Sequence, residues 1–594
     1  MSESSTGGSP RAAIWLGAFL LVSLAIGVVG GWPGLRAHTG FVEAEEAAPK
    51  TSERGAFLGG RVAGDLAAGH LVAGDLVDGA PGRGVTGRGV AAPAGPRTTT
   101  AAPPATIEPS LRRRSDDRRR LAEPALVGRV ETLVAEAVAR ASSASKGRAN
   151  ASNVAVALRV IDLADGSVVL ERQPRLALAP ASNLKLVTSL AALVALGSEW
   201  NFVTRFEAAG QMVGTRLEGD LVVRAGGDPL FDDDDPELAE RRLREVGAAL
   251  VDGGLRSVSG DLVLDLGAFA DASPAPGWPQ PNGHWTSSYA LAAGLSVNAG
   301  LISYEVDPGA VGALARARFV PSPTGLKEKL AVETVKGRTN DVRVGLYEAT
   351  GRLDLVGSIG ADLPTFTGRF RHPDPVDHFG HVLLASLAAE GVRVEGRIRL
   401  ERDAAGGTEL ARLVTPWITY LEAINTHSNN AVADAVLLAL GHERFGRGDR
   451  ESGAARVREV LETMGADTSA FVQVGGSGLS RDNRVTVEIL SELLARVAEE
   501  PDAVRMPFVE SLAVGGRTGT LSDRMTGDAA GRVHAKSGFI VGASALSGYV
   551  STLEGRELAF SFIVSYPRLD GLNSSAWKPM HDAIALELVR WERP

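Results

Sequence analysis

The chain has 594 residues, more than one domain's worth, with 44% hydrophobic and 22% charged residues, the balance of a soluble protein with a sizeable core. A formal net charge of -9 excludes a dedicated nucleic-acid binder, because no basic excess is present to neutralise phosphates. Cysteine is absent, which excludes disulfides, thiolate metal sites and cysteine nucleophiles together. Of 62 basic residues only eight are lysine: Lys50, Lys146, Lys185, Lys327, Lys329, Lys336, Lys536 and Lys578. Where a chain that writes arginine almost everywhere keeps a lysine, the chemistry of that position is worth asking about.

Taken in chain order, residues 1–30 hold an 18-residue apolar run from Ala12 to Val29, preceded by Arg11. That length lies between a signal peptide's apolar region and a short transmembrane helix, and it predicts either a removed signal or an uncleaved membrane anchor. Both export the rest of the chain, so the expected location is extracytoplasmic, in the periplasm or cell envelope. Residues 31–123 are rich in Gly, Ala and Pro and predict no packed domain. Val62-Ala-Gly-Asp-Leu66 recurs as Val72-Ala-Gly-Asp-Leu76, but two copies do not make a solenoid. The charge block Arg112–Arg120 closes this linker, whose r.m.s. span as a flexible tether is about 50 Å.

Folded sequence begins near Pro124. The spacing of Val127, Val130, Leu133, Val134 and Val138 predicts a helix over 127–141. Alternation over 154–161, then Asp165-Gly166 and Val168-Val-Leu170, predicts a hairpin. A helix is expected over 182–196, stopped by Gly197. From 203 to about 370, short alternating runs between Gly, Pro and Asp turns predict a β-rich region. Helical patterns return after Asp377, and the chain closes with strands at 545–550 and 558–564 and a helix after Pro579.

Chemistry concentrates in three short segments. In Ser182-Asn-Leu-Lys185, a serine at the first turn of a helix has a lysine three residues on, so both side chains share one face. A serine hydroxyl needs a base to take its proton, and a lysine can serve once burial or a neighbouring cation lowers its pKa. Arginine stays protonated and cannot. Alone the spacing says little: Ser143–Lys146 and Ser575–Lys578 share it, the first in a polar stretch, the second against Pro579. Ser428-Asn-Asn430 at the mouth of an apolar helix would by itself be a helix cap, and Lys536-Ser537-Gly538 by itself a bent strand. In this order the three match the motif set of active-site serine penicillin-recognising enzymes.

On these motifs the chain resembles the low-molecular-mass class C penicillin-binding proteins, the D-alanyl-D-alanine carboxypeptidase/endopeptidase family, over roughly 125–590. Further likeness lies in Gly226-Gly-Asp-Pro229, Gly476-Ser-Gly-Leu-Ser-Arg481, Gly519-Thr-Leu521 and Leu546-Ser-Gly-Tyr-Val550. The 242 residues between Lys185 and Ser428 exceed what a compact β-lactamase uses, and this family carries inserted domains there. Departures are Ser537 for a common threonine, Gly475 for an aspartate, and Ser565 where asparagine is frequent.

The resemblance implies an α/β (α+β) serine β-lactamase/transpeptidase-like domain, an antiparallel sheet flanked by helices. Its two parts would be 124–202 and 373–594, split by β-rich inserted domains over 203–372. It implies Ser182 as nucleophile, Lys185 as base, Ser428 as proton relay and Asn430 as orienting group. Lys536, Ser537 and Gly538 would bind substrate, and the N–H groups of Ser182 and Phe539 would form the oxyanion hole. Peptidoglycan stem peptides are the implied partners and β-lactams the covalent inhibitors, with the membrane met through the N-terminal segment and no nucleic acid. No metal and no cofactor is expected. The alternatives are a non-catalytic penicillin-binding wall scaffold and a β-lactamase; an intact motif set speaks against the first, the long insertion and anchor against the second.

Other catalytic patterns fail. His378-Phe-Gly-His381 lacks a third metal ligand and reads as a solvent-facing helical pair, Asp232–Asp235 reads as a solvated loop, and His427, adjacent to Ser428 in sequence, does not face it on a helix.

Overall fold

A computed structural model describes residues 71–73, 124–279 and 286–593. The expected anchor at 12–29 and nearly all of the expected linker lie outside the described residues. Among the described residues, no helix is long and apolar enough to cross a membrane.

The domain that carries the three motifs is built on a six-stranded antiparallel sheet. Its strands are Ala155–Asp162 (β1), Val168–Arg172 (β2), Ala513–Val514 (β3), Val533–Ile540 (β4), Ala543–Ser551 (β5) and Glu557–Ser565 (β6). They lie in the order β3-β4-β5-β6-β1-β2. The expected hairpin is β1–β2, with Gly166 supplying the positive φ of 71° at its turn. Helices cover both faces: Pro124–Ala144 (α1), Leu184–Ala195 (α2), Asn430–Phe445 (α3), Arg450–Thr463 (α4), Val487–Val497 (α5) and Lys578–Val589 (α6).

Side-chain alternation sorts β6 between two cores. Leu558, Phe560, Phe562 and Val564 pack with α1 and α6, whereas Ala559 and Ile563 pack with α2, α3, α4 and α5. Helix α1 meets the first core with Leu126, Val130, Val134, Ala137 and Ala141, one stripe at helical spacing. A sheet buried on both sides explains why its strands read as nearly continuous apolar runs. The expected antiparallel sheet flanked by helices is what the chain forms.

The inserted region differs from its expectation in extent and content. An eight-stranded sheet takes strands from Asn201–Val213, Arg216–Arg224 and Leu262–Asp265, and also from Arg393–Val394, Ile398–Glu401 and Thr408–Pro416. The strand Leu71–Ala73 adds to its edge beside Thr408–Pro416. Parallel pairing of Leu262–Asp265 with Ile398–Glu401 ties residues after 372 to residues before it, so the insertion runs to Pro416. It is also not simply β: the helices Leu238–Asp252 and Pro375–Ala389 pack together on this sheet. Two three-stranded sheets within 301–371 share a separate core around Ile302, Phe319, Leu355 and Phe370.

Candidate active site

The serine of the first motif sits on a tight turn. A 3₁₀ turn, Ala181–Asn183, runs directly into α2 and places Ser182 at the helix mouth, with Lys185 one turn in. Ala181, immediately before the serine, is fully buried with φ 47°, a left-handed conformation that an alanine holds only when its surroundings impose it. One such constraint is Gly478, with φ 83°; a Cβ there would lie 1.9 Å from the Ala181 carbonyl oxygen. Asn183 clamps the turn to the sheet. Oriented to satisfy both ends of its amide, it donates to the Lys536 carbonyl (2.8 Å) and accepts from Ser547 N–H (3.1 Å).

Lys185 is fully buried at the centre of the site. Its Nζ lies 3.2 Å from Ser182 Oγ, 2.6 Å from Asn430 Oδ1 and 2.7 Å from the Ser477 carbonyl oxygen. Burial pushes this amine down to about 7, against the opposing pull of the Asp434 carboxylate. A neutral amine has two N–H donors and one lone pair. With Asn430 and Ser477 offering only acceptors, both donors are engaged and the lone pair is left toward the Ser182 hydroxyl. In that neutral form the amine can take a proton from the hydroxyl 3.2 Å away.

The second motif occupies the turn between the short helix Leu421–Asn425 and α3. Thr426 anchors the turn by donating to the Ser511 carbonyl (2.5 Å), and Asn429 caps α3 by accepting from Val432 N–H (3.1 Å). Between them Ser428 takes a left-handed φ of 62°, which a serine adopts only under constraint. Asn430, the first residue of α3, links two regions: its Oδ1 accepts from Lys185 while its Nδ2 donates to the Ser288 carbonyl (2.8 Å) of the insertion.

The third motif lies on β4. Lys536 is fully buried, and burial with Lys185 nearby holds its amine far below the usual lysine range. Its Nζ donates to the Ser537 carbonyl (3.1 Å). Ser537 Oγ donates to Thr520 Oγ1 (2.8 Å), so two hydroxyls stand together at the open side of the strand. Gly538 packs against the nucleophile's turn: a Cβ there would lie 3.0 Å from both Ser182 N and the Pro180 carbonyl oxygen. Phe539 follows with its ring 47% exposed.

Ser182, Lys185, Asn430, Lys536 and Gly538 are therefore brought together from α2, α3 and β4, with Ser428, Ser537 and Phe539 on the same turn and strand. Of the lookalike spacings, Lys146 and Lys578 are both exposed. His427 turns from Ser428 toward Asp233 (3.3 Å) and Glu422 (3.6 Å). The expectation of a solvent-facing pair at His378 and His381 is corrected. His378 is fully buried, stacked on His372 at 4.5 Å and bonded through Nε2 to the Pro321 carbonyl oxygen, because this helix packs inward on the insertion. Among the described residues, no group of three or more His, Asp or Glu side chains is placed to hold a metal.

Several residues of the site were not singled out from sequence: Asn183, Ser288, Asp434, Ser477 and Thr520. Asp434 carried a readable signal, since it stands four residues after Asn430 on the same face of α3. Ser288 carried none, because its contribution is a backbone carbonyl.

Comparison with known proteins agrees with this geometry. The profile of the D-Ala-D-Ala carboxypeptidase 3 (S13) family matches residues 140–587. A D-alanyl-D-alanine carboxypeptidase of Actinomadura sp. (strain R39) is 32% identical over 73% of this chain and 80% of its own length. Carboxypeptidase DacB of Mycolicibacterium smegmatis is 26% identical over 68% of this chain and 75% of its own. In structure the chain is similar to penicillin binding protein 4 from Haemophilus influenzae, with a TM-score of 0.63 at 21% identity over 74% of this chain and 97% of that one.

Proposed function

Because the chain belongs to the D-Ala-D-Ala carboxypeptidase 3 (S13) family, we propose that it hydrolyses the terminal D-Ala-D-Ala bond of peptidoglycan stem peptides through an acyl-enzyme on Ser182. The observation that carries this reading is the Lys185 amine, fully buried, held to Asn430 and Ser477 and 3.2 Å from Ser182 Oγ.

The steps follow from the groups present. Lys185 takes the Ser182 hydroxyl proton as Oγ adds to the scissile carbonyl carbon. The N–H groups of Ser182 and Phe539 receive the developing oxyanion; the close approach that Gly538 permits supports this assignment. The proton passes through Ser428 to the nitrogen of the leaving D-alanine as the C–N bond breaks. Water, activated by the same amine, then cleaves the ester and regenerates Ser182. Lys536, whose protonated form the anionic substrate favours, and Ser537 beside Thr520 bind the terminal carboxylate. A β-lactam would acylate Ser182 and leave slowly, a role supported by the β-lactam-complexed structure of the Haemophilus influenzae protein. The substrate is a wall polymer, so the segment 12–29 is assigned as export signal or membrane anchor.

The test is covalent labelling by fluorescent penicillin together with release of D-alanine from a muropeptide. Both are expected in the parent chain and neither in Ser182→Ala. Labelling that persists in Ser182→Ala would sink the assignment of the nucleophile. Labelling without D-alanine release would leave a penicillin-binding wall scaffold, and cleavage of cross-linked dimers would add endopeptidase action.

A further inference from the structure

Gly475 stands where the family carries an aspartate ahead of Gly476-Ser-Gly478, yet the loop is not without a carboxylate. Asp434, one turn into α3 and 3% exposed, accepts from Gly476 N–H (2.5 Å), from Ser477 N–H (3.0 Å) and from Ser477 Oγ–H (3.3 Å). The carbonyl of that same Ser477 receives Lys185 Nζ at 2.7 Å. A Cβ at position 475 would itself lie 3.2 Å from Asp434 Oδ1, so the glycine leaves this carboxylate its room.

We propose that Asp434 is a positioning residue for the reaction, holding the 476–478 loop so that Ser477 presents its carbonyl to Lys185, and supplying a negative charge beside that amine. The inference rests on Lys185 being the base. Asn430 and Asp434 share a face of α3, so one helix delivers both the amide that bonds the amine and the carboxylate that sets its surroundings. The charged groups acting on Asp434 are Lys185 from α2 and Arg450 from the start of α4, and Lys536 from β4 lies near Lys185. Burial raises the Asp434 carboxyl, while Arg450, Lys185 and the two backbone N–H groups favour its ionised form. The carboxylate in turn favours the protonated lysine, whereas burial favours the neutral one. Removing the negative charge alone therefore makes the amine a weaker base that is neutral at lower pH.

The experiment measures the rate constant of acylation by a fluorescent penicillin from pH 5 to 9 in the full chain. In Asp434→Asn, which keeps an oxygen for the loop N–H groups, the midpoint of the rising limb is expected to move to lower pH by about half a unit or more. In Asp434→Glu, which keeps the charge, it is expected to stay with the parent. A midpoint in Asp434→Asn that stays or rises overturns the proposal, as does an equal shift in Asp434→Glu. If Asp434→Asn does not fold, Asp434→Ser serves, since it keeps an oxygen acceptor without the charge: the midpoint is expected to fall, and one that stays or rises overturns the proposal. Lys185→Ala separates the two levels. If it acylates with the parent's pH profile, the catalytic reading fails; if it is inert while Asp434→Asn shows no shift, only this inference fails.

Discussion

At the residue scale, burial separates the lysines of the motifs from the others. Seven lysines fall on described residues; Lys185 and Lys536 are fully buried, and Lys146, Lys327, Lys329, Lys336 and Lys578 are exposed. Under the proposed mechanism lysine is required at these two positions, since arginine could not release a proton at 185 and is bulkier than a lysine amine at 536. Lys185→Arg is expected to lower penicillin acylation by about 10²–10⁴-fold, the usual worth of a general base, measured as the acylation rate constant. Because burial brings Lys185 to about 7 and the neutral amine is the reactive form, acylation by the parent should rise with pH through about 7 and level above it. A rate independent of pH between 6 and 8 would remove Lys185 as the base. Gly538→Ala places a methyl 3.0 Å from Ser182 N and the Pro180 carbonyl oxygen, so it should cost about 1–3 kcal/mol of strain and slow acylation. A thermal melt and the acylation rate together report both effects.

At the scale of elements, the site is built on α2, α3 and β4, with one contact from the insertion through Ser288. Asp374 caps the insertion helix Pro375–Ala389 by accepting from Val376 N–H and Asp377 N–H, both at 3.1 Å. Asp374→Ala should therefore cost about 1 kcal/mol in a thermal or denaturant melt, with acylation unchanged. Phe562 tests the opposite case. It is fully buried on β6 against Phe560 at 4.7 Å, within the core that α1 and α6 close. Phe562→Ala should cost about 3–5 kcal/mol, because the cavity opens under the central sheet that carries β4.

The elements also show what was legible and why. The three motifs were readable because each is a local device: a helix mouth, a cap, an edge of a strand. Strand content at 155–162, 543–551 and 557–565 was readable because alternation and apolar runs are local too. The end of the insertion at Pro416 was not, since it follows from Leu262–Asp265 pairing with Ile398–Glu401, strands more than 130 residues apart. Helix Leu238–Asp252 lies within the stretch read as β, although Leu243, Val246 and Leu250 recur at helical spacing and were legible as one buried stripe.

For the whole molecule, acid should act on the fold as well as on the site. His378 and His581 are buried and held below the usual histidine range chiefly by burial, His581 at about 3. The unfolded chain takes up these protons below about pH 6.5 while the folded chain does not, so stability is lost as pH falls. At pH 5 the loss from His581 is about 2 kcal/mol, and His378 acts in the same direction. A melting temperature that holds steady from pH 7 to 5 would show that these histidines bind protons in the fold.

From the order of residues alone came the three motifs with their serines and lysines, the antiparallel sheet with its covering helices, and the absence of cysteine. Those follow from side-chain type and near-neighbour spacing, which a linear chain displays openly. Only the tertiary structure decided that Lys185 is buried enough to lose its proton near neutrality and which acceptors occupy its N–H groups. It also decided that Asp434 answers its charge, and that a carbonyl of the insertion reaches Asn430. Burial and electrostatic coupling act through space between residues distant in sequence, so no local spacing encodes them.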